Sequence, residues 1–434
     1  MQNKRIDTFI MFMAIVFMGA AVFIMGLLPW LGRAHAMTVV TMDGKVVQAQ
    51  PYTPLEARGR KVYIREGCWY CHSQYVRPVT GEDRRWGPVS QEGEYAYDVP
   101  HMFGTRRIGP DLTREGGRVH DDWHYAHHFN PRMVVPDSIM PQFPWLYNGV
   151  DANGKPIPTD DAVALVAYIQ KLGTNLGPWR KNFLYVSAGS SIPSIPADIE
   201  GGIQAGRKVF ERRCIGCHGD TGNGKGAAAV FLTTKPRVFT DGIFKLRSTS
   251  SGSIPTDADL YRTITMGVRG TAMPNWHELT EEDRWFVIQY IKTFSDRFKD
   301  ETPGDVIVIP PEPPNTPEAV SRGKIVYDQM KCAECHGVDG KGDGPSASTL
   351  RDNWGNPIAP RDFTHGGTDM KSGPAPQDMY KAFSTGLDGT PMPSYADFLN
   401  PDQRWDLVHY VMSFGPPDTY LILTQQEAGD AYGH

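Results

Sequence analysis

The sequence writes Cys-x-x-Cys-His three times: Cys68, Cys71, His72; Cys214, Cys217, His218; and Cys332, Cys335, His336. Two thiols at this spacing can each form a thioether to a porphyrin, and the next histidine then stands beneath the iron. This is the attachment signature of c-type haem. The three motifs use all six cysteines of the chain. Zinc sites and redox dithiols also use Cys-x-x-Cys, but neither requires histidine at the following position. One such histidine is a coincidence of composition; three among 13 histidines in 434 residues are not. The expectation is three covalently bound haems c, each with its iron. No cysteine is left over, so no structural disulfide is expected.

A c-type haem that carries electrons commonly takes a methionine as its second axial ligand, which raises its potential. Each motif is followed by one Met-Pro pair: Met140-Pro141, Met273-Pro274 and Met392-Pro393. The intervals from the histidine are 68, 55 and 56 residues. A lone methionine among 17 is usually core filler. Recurrence at one place in each repeat sets these three apart from Met266 and Met379. The expected iron ligands are His72 with Met140, His218 with Met273, and His336 with Met392. Two axial ligands leave no open position for a substrate. The chain by itself therefore reads as an electron carrier, with no catalytic residue assigned. His101, His120, His124, His127 and His128 cluster after the first motif without clean metal-ligand spacing, so they read as surface or haem-pocket side chains. Arg237 and Arg361 follow proline at matched positions. They read either as bidentate partners of haem propionates or as exposed turn residues.

The elements that must position these residues are helices. Gly59-Arg-Lys-Val-Tyr63, Gly206-Arg-Lys-Val-Phe210 and Gly323-Lys-Ile-Val-Tyr327 each precede a motif. Each module closes on a helical stretch: Thr159 to Leu172, Thr280 to Phe294, and Asn400 to Phe414. Thr280 and Asn400 are N-cap types with acidic or amide side chains following. Trp285, Ile288 and Ile291, and Trp405, Val408 and Val411, recur at helical spacing. Modules two and three repeat closely; Pro236-Arg237-Val-Phe239 matches Pro360-Arg361-Asp-Phe363, and Gly270-Thr-Ala-Met-Pro274 matches Gly389-Thr-Pro-Met-Pro393. Module one shares the frame but carries a longer insertion.

At the N-terminus, Lys4 and Arg5 precede the apolar stretch Phe9–Leu31. As a helix it is about 34 Å long, enough for a hydrocarbon core of about 30 Å. Trp30 falls where an aromatic interface anchor belongs, and the positive-inside rule places the rest of the chain outside the cytoplasm. A cleaved signal peptide with Ala34-His35-Ala36 as its site is the competing reading. Signal cores are shorter, so a retained anchor is expected. No other stretch is long enough to span. The predicted fold is mainly α: an anchor over 1–36, a monohaem cytochrome c module over 51–173, two further cytochrome c modules over 200–297 and 316–415, and a tail over 416–434. The linkers at 174–199 and 298–316 carry proline and serine; the second reads as extended and semi-rigid. The tail reads as loose or as a docking segment. Net charge is −5, which offers nothing for nucleic acid. From Thr316 onward 9 basic residues face 16 acidic ones, net −7, a surface that either steers a basic redox partner or serves solubility.

Tyr52-Thr-Pro-Leu-Glu-Ala-Arg-Gly-Arg60, Glu66-Gly-Cys-Trp-Tyr-Cys-His-Ser-Gln74, Val76-Arg-Pro78, Gly104 to Leu112 and Ser138-Ile-Met-Pro-Gln-Phe-Pro-Trp145 carry a more specific signal. Over residues 1–173 the chain resembles the FixO/CcoO subunit, the membrane-anchored monohaem subunit of cbb-type haem–copper oxidases. Residues 200–415 are similar to the paired modules of the dihaem subunit of those enzymes. The usual monohaem subunit ends after module one, so the chain resembles two subunits joined. The resemblance implies His72 and Met140 as an axial pair and an integral-membrane haem–copper catalytic subunit as partner. It implies a bacterial inner membrane, with a single pass and the haem modules on the periplasmic side. The donor would be a soluble or membrane cytochrome or a quinol-oxidising complex, and electrons would enter at module three or two and leave from module one. The fusion leaves oxygen and nitric oxide both open as acceptor. Two other readings fit the residues less closely: an electron-transfer subunit of a periplasmic dehydrogenase, and a haem-based gas sensor, which needs an iron with an open site.

Overall fold

The computed structural model describes residues 2–32, 37–41, 44–79, 81–82, 86–176, 193, 195 and 201–420. Among them the architecture is helical, with two small hairpins. Helix α1 (Gln2–Val22) continues through a π-helical turn, Phe23–Leu27, to Gly32. Its stretch Lys4–Leu27 is long and apolar enough to cross a membrane, and none of it is buried against the rest of the chain. The proposed cleavage site at Ala36 and most of the 174–199 linker lie outside the described residues.

Each module is built on one crossing of two helices. In module one α2 (Pro54–Arg65) crosses α4 (Asp160–Lys171), with α3 (Asp121–Phe129) between them in sequence. In module two α5 (Gly202–Arg213) crosses α7 (Glu281–Lys292), after α6 (Asp257–Met266). In module three α8 (Pro317–Gln329) crosses α10 (Pro401–Met412), after α9 (Pro376–Thr385). The glycines of the repeated sequence lie at these crossings. A Cβ on Gly59 would stand 1.8 Å from the Ala164 carbonyl oxygen, on Gly206 2.0 Å from that of Phe286, and on Gly323 2.0 Å from that of Asp406. Only glycine lets the two backbones come this close.

The helix starts follow the sequence. Thr159 and Thr280 accept N3 amides, and Asn400 forms a reciprocal capping box with Gln403. Trp285, Ile288, Ile291, Trp405, Val408 and Val411 are all buried. Two antiparallel hairpins, β1 (Thr38–Val40) with β2 (Val46–Gln48) ahead of module one and β3 (Tyr147–Val150) with β4 (Pro156–Pro158) within it, have no counterpart in the sequence reading. The second linker, expected to be extended over 298–316, opens on a helical turn, Arg297–Asp300; the rest forms no helix, and it is strapped down. Val306 bridges to Thr249 of module two, Ile309 is buried, and the Pro310 carbonyl accepts from Trp405 Nε1 of module three at 3.2 Å. The beginning of the tail also packs: Tyr420 is buried in the third core. Residues 421–434 lie outside the described residues.

Replacing Gly323 by valine should lower stability by about 3 kcal/mol or more, because neither backbone at the crossing can retreat. Denaturant unfolding of the haem-loaded chain measures this. A change below about 0.5 kcal/mol, typical of a surface site, would contradict the close crossing.

Candidate functional site

The three motifs fold into one local structure. In each, the first cysteine ends or follows the opening helix, and the histidine ring is oriented by a hydrogen bond from Nδ1. His72 Nδ1 donates to the Pro110 carbonyl at 2.8 Å, His218 to Arg237 at 3.1 Å, and His336 to Arg361 at 3.3 Å. This fixes the tautomer and leaves Nε2 as the free donor atom for a metal. Burial lowers the pKa of all three, His218 to about 4, despite the carbonyls that pull upward on the ring. All three are therefore neutral at physiological pH, the form that binds iron. His218 and His336 stack on Phe239 and Phe363, with centroids 4.4 and 4.5 Å apart. Among the described residues His72 has no such partner ring. Gly109 takes that place, and a Cβ there would stand 2.2 Å from His72 Cε1.

None of the six cysteines is in a disulfide. Burial pushes Cys68 and Cys214 up to about 12, and Cys217 and Cys332 to about 11. The attacking thiol of a redox dithiol is shifted the opposite way.

The Met-Pro loops share a device that the sequence analysis did not single out. The amide of Met140 donates to Ser138 Oγ at 3.3 Å, that of Met273 to Thr271 Oγ1 at 3.2 Å, and that of Met392 to Thr390 Oγ1 at 3.3 Å. A hydroxyl two residues before each methionine thus fixes the loop. The signal Ser/Thr-x-Met-Pro was readable in all three repeats. In modules two and three the turn is closed further, by Val268 N to Met273 O and Leu387 N to Met392 O, at 3.1 and 3.0 Å.

One cavity of about 640 Å³ joins the first two sites. His72, Met140, Cys68 and Cys71 line it, and so do His218, Met273, Cys214 and Cys217. The third set is placed apart, with Cys332 and Met392 packed on the third core. Met379 is buried inside that core, and Met266 lines no part of the large cavity. The histidine cluster divides. His101 stacks on Phe103, and His120 caps α3. His124, His127 and His128 line the cavity with Nε2, Nδ1 and Nδ1, respectively, buried and unpartnered. These orphaned ring atoms, the apolar cavity and the free His Nε2 atoms fit a porphyrin carrying polar edge groups.

The cavity is continuous because modules one and two share a core. Ala228, Phe231, Leu232 and Ala272 belong to the same buried cluster as Tyr63, Leu146 and Tyr168. Gly216, within the second motif, admits the Met133 carbonyl oxygen 2.1 Å from where a Cβ would be. Asp122 accepts the Thr233 amide at 2.7 Å, and Arg118 pairs with Glu278 at 2.8 Å. Modules two and three meet through ions. Arg247, fully buried, reaches Asp388 at 2.9 Å and the Thr385 carbonyl at 2.7 Å, and Arg262 meets buried Asp378 at 2.8 Å. The insertion of module one is stiffened by buried pairs that sequence reasoning missed: Arg114 with Glu94, Arg107 with Glu82, and Arg60 with Asp98.

Three parts of the chain match families of known proteins. Residues 2–160 match the family described as cytochrome c oxidase, mono-heme subunit/FixO. Residues 201–291 match cytochrome c oxidase, cbb3-type, subunit III, and residues 320–415 match cytochrome c. No curated protein matches. A solved structure, a chain of the Kuenenia stuttgartiensis reducing HAO-like protein complex, is 44% identical. It covers 52% of this chain and 100% of its own length, with a TM-score of 0.49. Fold and site together define a multi-haem c-type cytochrome with covalently bound haem c. It is an electron-transfer subunit related to the FixO and subunit III components of cbb3-type oxidases, bearing one candidate membrane anchor.

Two outcomes follow. Met273→Ala and Met392→Ala should each remove about one third of the sulfur-to-iron absorption of the oxidised chain and open one iron to carbon monoxide. An unchanged spectrum would show that the methionine is not a ligand. Asp122 titrates near 2 rather than its ordinary 3.8: burial alone would raise it, but His120 and the Thr233 amide more than offset that. A depressed carboxyl stabilises above its unfolded pKa, so about 2 kcal/mol at the seam should vanish as pH falls from about 4 to about 2. Unfolding of wild type and Asp122→Asn across that range should converge at the acid end. A constant difference would contradict the assignment.

Proposed function

We propose that the chain binds three haems c and relays electrons to the membrane-embedded catalytic subunit of a cbb-type respiratory oxidase. The axial pairs are His72 with Met140, His218 with Met273, and His336 with Met392; the thioethers form at Cys68, Cys71, Cys214, Cys217, Cys332 and Cys335. The observation that carries this reading is the single cavity lined by both the first and the second ligand sets. Bound haem iron supplies a one-electron couple tuned by its axial ligands and burial. The protein supplies the wiring. Its shared core holds modules one and two in contact, and buried ion pairs hold module three on module two.

Module one follows the anchor, so it is the natural exit toward an integral-membrane partner. The haem modules lie on the periplasmic side of a bacterial inner membrane in this reading, by the charge of Lys4 and Arg5. Module three is acidic, which favours entry of electrons there from a basic cytochrome or a quinol-oxidising complex. The FixO and subunit III matches favour an oxidase over a dehydrogenase partner.

Isolation of the native complex in mild detergent tests the reading. A polytopic partner with b-type haem and copper, and cyanide-sensitive oxygen uptake, is expected. A partner that reduces nitric oxide, a dehydrogenase, or an HAO-like protein in its place would overturn the oxidase assignment.

A further inference from the structure

Of the six basic residues that line the cavity, three act on one another through their charges, and one of these belongs to the third module. Arg237, Lys245 and Lys371 all line it, beside His218, Phe239 and Met273. Arg237 keeps its Nη1 buried and without a hydrogen-bond partner, while its guanidinium lies over Trp354 of module three at 4.8 Å. The charges bearing on Lys371 are those of Arg361 and Arg237, both positive. Lys245 feels Lys371 and Arg237 against one carboxylate, Asp352. Burial, reinforced by these like charges, pulls Lys245 down to about 7. Buried cations of one sign repel each other and lose hydration, so a cluster of this kind calls for an anion.

Two arginines tie the cluster to both ligand sets. The Arg237 carbonyl holds His218, while its side chain lies 2.8 Å from a Cβ built on Gly389, three residues before Met392. The Arg361 carbonyl holds His336, while its side chain lies 2.7 Å from a Cβ built on Gly270, three residues before Met273. Each arginine orients its own module's histidine and reaches the other module's methionine loop. The exchange is reciprocal in geometry and unequal in charge. Arg361 pairs with Asp369 at 2.8 Å, whereas Arg237 makes no ion pair among the described residues, although the charges of Asp352, Asp388 and Asp241 reach it. The unmet buried donor, Arg237 Nη1, is therefore at the second site.

We propose that the second haem is held by two modules: Arg237 and Lys245 of module two and Lys371 of module three form the cationic seat of its two propionates. A porphyrin attached through Cys214 and Cys217 presents its carboxylates on the edge away from the thioethers, and this seat supplies charge-assisted partners for them. Lys371 is a positioning residue, acting across the module boundary. The inference rests on the reading that Cys214 and Cys217 carry a haem. Modules two and three are then one redox unit.

Redox titration of the full haem-loaded chain tests this. Met273→His changes the second site's axial ligand and so marks its component in the titration. Lys371→Gln should move that same component toward the oxidised form about tenfold, which is 59 mV for one electron. The direction follows because losing a positive neighbour favours the more positive, ferric state. Lys371→Arg should hold it within about twofold, and the other two components should stay in place. An unmoved marked component, or movement of the third site's component instead, would overturn the clamp. A chain whose Cys214 and Cys217 carry no haem by peptide mass would overturn the reading beneath it.

Discussion

Three glycines let three pairs of helices touch backbone to backbone, and the sites depend on that contact. Gly59, Gly206 and Gly323 each admit a carbonyl oxygen where any other residue would place a side chain. The opening helix of each module leads directly into its Cys-x-x-Cys-His turn. The closing helix follows the Met-Pro loop. Drawing the two helices together sets the spacing between the histidine side and the methionine side of a haem slot. Aromatic rings pack around each crossing, as Phe210 with Tyr290 and Phe294, and Tyr327 with Tyr410 and Phe414. These contacts make the slot a property of the whole module rather than of a loop.

The second layer of order is between modules. A stretch of three independent cytochrome units would need only linkers. Here the seams are built like interiors. Modules one and two share an apolar core, and the second motif's turn is packed against the loop before Met140. Modules two and three use buried guanidinium–carboxylate pairs, which hold geometry even where their net stabilisation is small. The extended linker over 301–315 binds to both sides instead of swinging free, with Glu312 reaching buried His409 at 3.2 Å. A fixed geometry between redox sites is what a relay requires.

Much of this was legible in the residues. The Cys-x-x-Cys-His motifs and Met-Pro pairs are local signals, and the caps at Thr280 and Asn400 announce helix starts without tertiary help. The repeat between modules two and three exposed the equivalence of Arg237 and Arg361. What the sequence could not show is their different fates. Arg361 finds Asp369 within its own module, and Arg237 faces a cavity lined by residues of all three modules. The shared cavity and the ion pairs of the insertion were hidden because each depends on residues far apart in the chain. The β1–β2 hairpin was missed because its strands are three residues long and carry little periodicity.

One polypeptide that holds three covalent haems can be weighed as such. Intact mass of the denatured chain is the measurement, because thioether-bound porphyrin survives denaturation and any other haem is lost. The expected value is the polypeptide mass plus three haems, with peptide fragments assigning one to each cysteine pair. A chain with one or two haems, or with free thiols at any of the three motifs after full maturation, would contradict it.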